Sequence, residues 1–461
     1  MDAAGLFGVQ LDGLASVYGS AGVDNIPTLL MGAHTDTRRR SSALDGAVGI
    51  AFALEASRVL HLGGAADWTA WSIVDWQLAD SIHPAGTGLT GPRAFVSEDG
   101  VFTPSDQLWR ARGAAGVAGT PIMHASGRHG GWNAYLEARV ERGTHLRSVN
   151  ATLGVVRSIA GVRRVRIVCG ETAASKVSDG SPAYVWRRAG TLEAMRLATA
   201  LDDRLHALCA SWQEGGCDGA WRFVEFAGGF GKPPEEFEPS GGVVLNADAS
   251  GASLTLELRA ADASLLERMA RLVDASVSAG KASAAAPAGA HCTLHPEDSD
   301  ASLPASTLDA GLLECIRIAA ATTVGDDSVA VLESPEVLSA SLINQVMPAA
   351  MIMLPSAADG EGLEKEEDGE EKRRALEAAI VDGARAYVRA AVDIALGACE
   401  SESGPTCILG DSRRNVQLAS SDWSRKLEQV DTAPRATASH SVAGATSDGG
   451  DEEVEDDYPD L

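Results

Sequence analysis

Hydrophobic positions along the chain change period several times, and each change predicts an element. Ile26–Gly32 (IPTLLMG) is a short apolar run ending in small residues, which reads as a buried strand feeding a loop. Ala47–Leu60 (AVGIAFALEASRVL) has apolar residues at helical spacing, and Trp68–Asp75 returns to a strand pattern. Val162–Val168 (VRRVRIV) alternates as a strand with one charged face, expected to be solvated. A helix over Leu192–Cys209, strands over Val243–Arg259 and an amphipathic helix over Leu265–Ser276 complete a smaller β-α-β-α set. Ala279–Gly289 (AGKASAAAPAG) reads as a low-complexity linker. Beyond it come a helix at Leu308–Ala320, a strand at Ala349–Leu354 and a long helix at about Lys372–Ala398. This alternation predicts an α/β fold with parallel strands in the main sheet.

Composition narrows the partners. The 461 residues carry 64 acids against 38 bases, a net charge of -26, which argues against general affinity for nucleic acid or anionic membrane surfaces. Asp359–Glu371 and Asp448–Leu461 supply 15 of those 26 charges, and such acid runs are expected as solvated loops or tails. No apolar run reaches the ~18–20 residues that span a bilayer. Seven cysteines stand singly, without the close spacing of a zinc or redox motif, and are expected as free thiols in a reducing, cytoplasmic setting.

Candidate chemistry concentrates in Gly32–Gly49, GAHTDTRRRSSALDGAVG. His34 and Asp36 follow a strand, and Asp45 opens a helix. An imidazole and a carboxylate so placed suit a divalent ion, with Asp36 orienting the His34 ring. The same residues also fit a plain helix cap with His34 in a loop.

The block GAHTDT…LDGAVGIAFALEA resembles the H-x-D…D-G-x-x-G-x-x-A-x-L-E motif of the zinc-dependent aminoacylase and glutamate-carboxypeptidase-like metallohydrolases, in the branch of N-carbamoyl-amino-acid hydrolases, β-ureidopropionase and allantoate amidohydrolase. Met1–Phe7 resembles the strand before that motif. Ala134–Gly143 (AYLEARVERG), Gly154–Glu171 and Ala350–Ser356 (AMIMLPS) follow in the family's order. The resemblance implies a large metallohydrolase domain, with a mixed or parallel sheet flanked by helices, at 1–153 and 285–400. It implies an inserted α+β dimerisation domain at 154–280, followed by an acidic tail at 401–461. By the same resemblance the family has further helical residues ahead of the position of Met1.

For function, the resemblance implies hydrolysis of a linear non-peptide C–N bond in a carbamoyl or ureido amino acid or an allantoate-type substrate. It also implies zinc or manganese, a homodimer and a small carboxylate ligand. His34 and Asp45 match metal ligands, Asp36 the orienting acid, and Asn246 and Arg259 the substrate-binding pair. Elsewhere the motif is broken. Ala79 stands at the general-base position, and Asp80 replaces a metal-binding Glu. Arg139 occupies a histidine-ligand position with Arg142 where a Gln belongs, and Ala174 replaces the oxyanion-stabilising histidine. The late G-H-D signature has no counterpart in Pro335–Ser341 (PEVLSAS), and the acidic insertion Ala357–Glu371 lies where the last ligand histidine belongs. Loss of the base alone forfeits about 10²–10⁴ in rate. Two expectations compete: a silent relative that dimerises or binds small carboxylates, and an active hydrolase with a rebuilt mononuclear site of His34, Asp45 and Asp80.

Overall fold

The structure, a computed structural model, describes residues 2–36, 44–79, 89–97, 110–127, 131–171, 183–212, 217–228, 251–280, 290–296, 302–356 and 366–405, apart from isolated positions within them. All of these lie in one unit, Met1–Val416. Asp80, Ala174, Asn246, residues 281–289 of the expected linker and the tail after residue 405 fall outside the described residues, and Ala279 and Gly280 of that linker close a helix.

In chain order, β1 (Phe7–Leu11) and β2 (Val17–Gly22) precede β3 (Thr28–Ala33), helix α1 (Leu44–Leu62) and β4 (Ala70–Asp75). Helix α2 (Thr90–Val96), β5 (Trp132–Val140), the single turn α3 (His145–Ser148) and β6 (Leu153–Ile159) follow. Next come β7 (Gly161–Glu171), α4 (Ala183–Ser211), β8 (Ala220–Gly228), β9 (Gly251–Ala260), α5 (Ala263–Gly280) and β10 (Ala290–Pro296). The last group is β11 (Ser306–Thr307), α6 (Ala310–Val324), β12 (Val329–Ser334), α7 (Ser339–Ile343), β13 (Ala349–Leu354) and α8 (Glu366–Ala395).

Two sheets result. The larger runs β1-β2-β4-β3-β5-β13-β6-β11, with β12 also on β6, and its centre (β4-β3-β5-β13) is parallel. The smaller runs β10-β7-β9-β8 and is antiparallel throughout. This is the mixed α/β architecture expected. Strands β3 and β13 are buried at every position, the condition under which a parallel strand reads as an unbroken apolar run. Each sheet carries its own apolar core, one built around Trp76, Tyr135 and Met351, the other around Leu256, Leu258 and Val273.

Polar bonds fix the helices on the large sheet. Trp71 Nε1 donates to Ser57 Oγ at 2.8 Å, joining β4 to α1, and Tyr387 OH of α8 donates to the Leu136 carbonyl at 3.1 Å. Trp71 and Trp76, the latter donating to Tyr135 OH at 2.9 Å, thus pack and bond within the core. Two glycines let α1 sit where it does. A Cβ at Gly46 would come within 2.2 Å of the His34 carbonyl, and one at Gly49 within 2.3 Å of the Ala138 carbonyl. The D-G-x-x-G spacing is thus a packing requirement of one helix against two strands.

Several expectations need correction. The strand expected before the metal motif at Met1–Phe7 is a short 3-10 turn, and the hairpin β1–β2 takes its place. Its glycines and the exposure of β1 conceal it from an apolar-run reading. The acid run read as a loop becomes helical from Glu366, since α8 begins there; acids in a first turn suit the positive end of a helix. The charged residues of β7 are only partly solvated: Arg163 pairs with Glu267 at 2.9 Å in the open, whereas Arg164 donates to the buried Glu257 at 2.7 Å. Six of the seven cysteines expected as free thiols stand in three pairs, Cys169–Cys292, Cys209–Cys217 and Cys315–Cys399, and Cys407 lies outside the described residues.

Candidate functional site

His34 follows directly on β3 and is fully buried. Its Nδ1 donates to the Asp36 carbonyl at 2.9 Å and lies 3.4 Å from Asp36 Oδ1. Since a carbonyl only accepts, Nδ1 carries a proton, and in the neutral ring Nε2 then presents a lone pair. That Nε2 is buried and has no hydrogen-bond partner among the described residues. Asp36 Oδ1 also accepts the Ala79 N–H at 3.2 Å, so the residue at the general-base position contributes only backbone here. Asp75, at the end of β4, braces the same loop by accepting from Thr35 N at 2.8 Å and Thr35 Oγ1 at 2.7 Å. Burial pushes the Asp75 carboxyl up, against those two bonds.

Strand alternation puts Glu137, Arg139 and Glu141 of the β5 segment on one side, and all three are buried. Arg139 meets Asp45, in the first turn of α1, with Nε 3.3 Å from Oδ1 and Nη2 2.9 Å from Oδ2. Arg142 reaches the same Oδ2 with Nε at 2.9 Å and Nη2 at 2.6 Å. Both carboxylate oxygens of Asp45 are therefore engaged by guanidinium. Burial pushes the Asp45 carboxyl up, but Arg139 and Arg142 outweigh it and hold the group below its ordinary value of 3.8.

Glu137 Oε2 accepts from Ala340 N at 3.0 Å and Tyr135 OH at 3.2 Å, while its Oε1 lies 3.9 Å from Arg139 Nη1. Burial holds the Glu137 carboxyl above its ordinary value of 4.5 against the pull of Arg139. Glu336, in the loop after β12, accepts the Arg142 N–H at 3.0 Å and stands 3.5 Å from Arg142 Nε. It too is raised by burial, with Arg142 opposing. Glu141, beside the ligand position, caps α3 by accepting from His145 N and Leu146 N, and so has a structural task.

Arg259 lies on β9 of the smaller sheet. Its Nε donates to Glu257 at 2.9 Å, and its Nη1 donates to the Pro335 carbonyl at 2.7 Å, one residue before Glu336. A polar chain thus runs from Glu257 through Arg259 and the Pro335–Glu336 loop to Arg142, Asp45 and Arg139. Other histidines are engaged elsewhere or lie outside the described residues. His124 donates to the Ala94 carbonyl and His206 packs on Trp221, while His83 and His129 lie outside the described residues.

Among the described residues, few donors are left open to a divalent metal. Asp45 has given both oxygens to arginine. Two unit charges ~4 Å apart interact by about 4 kcal/mol at an effective dielectric of 20, so each guanidinium would oppose a divalent ion at that distance by roughly 8 kcal/mol. Among the described residues, no group of three or more His, Cys, Asp or Glu side chains is placed to hold a metal ion. Among the described residues, His34 Nε2 and Glu137 Oε1 are the polar atoms of this cluster that are buried without a hydrogen-bond partner.

Sequence reasoning picked out His34, Asp36, Asp45, Ala79 and Arg139, and the structure joins these through the loop after β3 and the Asp45–Arg139 pair. It missed Glu137 and Glu336. Glu137 was signalled by alternation with Arg139, whereas Glu336 carries no local signal, because its partner is 194 residues away.

The comparisons agree with this geometry at the level of fold. No family model matches the chain. Solved structures with the same architecture include a hydantoinase/carbamoylase-family amidase from Burkholderia phymatum, with a TM-score of 0.59, 24% identity, and coverage of 86% of this chain and 87% of that one. AtUAH in complex with glyoxylate gives a TM-score of 0.59 at 18% identity, over 85% of this chain and 88% of that one. The chain therefore has the mixed α/β fold of the hydantoinase/carbamoylase amidases. Its sequence also resembles the N-carbamoyl-L-amino-acid amidohydrolase of Paenarthrobacter aurescens, 29% identical over 181 residues. That match spans 36% of this chain and 42% of the relative's length.

Proposed function

We propose that this protein is a hydrolytically silent relative of the carbamoyl- and ureido-amino-acid amidohydrolases, one that recognises a small carboxylate without metal. The observation that carries the reading is the saturation of Asp45 by Arg139 and Arg142. In the resemblance Asp45 bridges the metals; here a permanent internal cation takes the partner's place, and Arg139 cannot give up its charge near neutral pH. Ala79 at the general-base position supports the same reading, since its side chain can neither accept nor deliver a proton. Arg259 remains in place on β9, about a quarter exposed, as a cation for a carboxylate.

The second reading is an active hydrolase with a rebuilt mononuclear site, and one observation favours it: the buried, unpartnered lone pair of His34 Nε2. Turnover separates the two. Purified protein supplied with zinc or manganese is assayed on N-carbamoyl amino acids, ureidoglycolate and allantoate. The silent reading expects no release of ammonia or carbamate-derived carbon dioxide above the protein-free rate. Turnover that disappears in His34→Ala would overturn it.

A further inference from the structure

The cysteines are scattered in sequence and paired in space. Cys169 on β7 stands directly opposite Cys292 on β10 in the strand register, 123 residues away along the chain. Cys209, near the end of α4, meets Cys217 just ahead of β8. Cys315 in α6 meets Cys399 just after α8, 84 residues on. The Cα separations are 4.0, 5.3 and 5.3 Å; the last two fall within the ~4.4–6.8 Å of ordinary bridges, the first lies slightly below it, and none reaches the ~7 Å beyond which a bridge needs backbone movement. Every cysteine within the described residues has a partner, and Cys407 lies outside them.

Two ordinary explanations fail. A metal would need three or four ligands, and no such group of His, Cys, Asp or Glu occurs among the described residues. Accidental packing of small apolar thiols does not account for three separate pairs on three different pairs of elements. The pairs also fall where the fold has joints. One fastens the edge strand β10 to its sheet, from which the chain passes to β11 of the other sheet. Another ties α6 to the end of α8, and the third closes the passage from α4 into β8.

We infer that the mature protein is an oxidised molecule with three intramolecular disulfides, and that it resides in a compartment holding disulfide-carrying oxidants rather than in a reducing one. For each pair the chemistry is thiol–disulfide exchange. One thiolate attacks the disulfide of a carrier and displaces a carrier thiol. The second cysteine then attacks the mixed disulfide and releases the other. Two cysteine thiols become one disulfide, and one carrier disulfide becomes two thiols, so two electrons and two protons pass to the carrier. The carrier is a protein dithiol oxidase or a low-molecular-weight disulfide. Location follows from the redox state because such bonds persist in oxidising compartments and are rare where thiol reductants dominate.

Full-length protein from its native source, acid-quenched and alkylated before any reduction, then mapped by mass spectrometry, tests this inference. The expected result is three linked peptide pairs, 169–292, 209–217 and 315–399, with no alkylation at those six positions. Alkylation of all six in quenched material would overturn the inference, as would linkages in any other combination. Recombinant full-length chain refolded in a glutathione redox buffer gives a second readout. The same three linkages should form, and the thermal midpoint should fall when they are reduced. An unchanged midpoint with no linkages would likewise overturn it. Neither readout depends on ligand or metal binding, so the inference stands or falls apart from the proposed function.

Discussion

Arg139 of β5 and Asp45 of α1 are 94 residues apart in sequence, yet the guanidinium closes on the carboxylate through two nitrogens, at 3.3 and 2.9 Å, with both side chains almost wholly out of solvent. Arg142 joins from a more open position, its side chain 36% exposed. A charge pair buried this deeply is costly to break from one side, because the partner is left desolvated and unpaired.

Stability should therefore respond unequally to the two arginines. Arg139→Ala is expected to cost about 3–5 kcal/mol, and Arg142→Ala about 1 kcal/mol or less. Urea unfolding of the two variants checks the ranking. Equal losses would mean that the two contacts share the charge evenly.

The acid limb of stability should carry the signature of Glu257. Burial pushes its carboxyl up, but Arg259 and Arg164 outweigh burial and hold it below its ordinary value of 4.5. A depressed folded-state pKa gives stability that is fully present above the unfolded value and is lost as pH falls through the folded one. The wild type should thus lose stability below about pH 4.5 more steeply than Glu257→Gln, in which this contribution is absent. Thermal midpoints measured on both proteins from about pH 6 downward supply the comparison. Parallel curves would remove Glu257 from the account.

Much of this was legible in the sequence, for physical reasons that differ from element to element. Strands β3 and β13 declare themselves because burial on both faces demands an apolar run, and Ala349–Leu354 is read to the residue. Helices α1, α5 and α6 follow from their spacing, with ends displaced by a few residues, since terminal turns rest on neighbours more than on pattern. The hairpin β1–β2 stayed hidden because its first strand is exposed along its whole length. The Arg139 substitution was visible as a cation in place of a ligand, but its binding of Asp45 was not. Alternation groups residues on a strand and says nothing of the helix packed against it. The Cys169–Cys292 and Cys315–Cys399 pairs and the Arg142–Glu336 bond were invisible for the same reason: contacts between remote segments leave no periodicity.

Carboxylate recognition should depend on Arg259. Its guanidinium is already oriented by Glu257 and the Pro335 carbonyl, so a planar fork is held ready. An N-carbamoyl amino acid should bind measurably by titration calorimetry. Arg259→Lys, which keeps the charge and loses the fork, should weaken binding about tenfold or more, corresponding to ~1.4 kcal/mol or above. Unaltered affinity in a folded Arg259→Lys protein would place the ligand elsewhere.

The central claim is that guanidinium has replaced metal at Asp45, and metal stoichiometry after equilibration tests it most directly. Protein incubated with zinc or manganese and then desalted is analysed for bound ion, alongside His34→Ala and Asp45→Asn. The account predicts substoichiometric metal that is the same in all three proteins. A full equivalent in the wild type that is lost in either variant would contradict it.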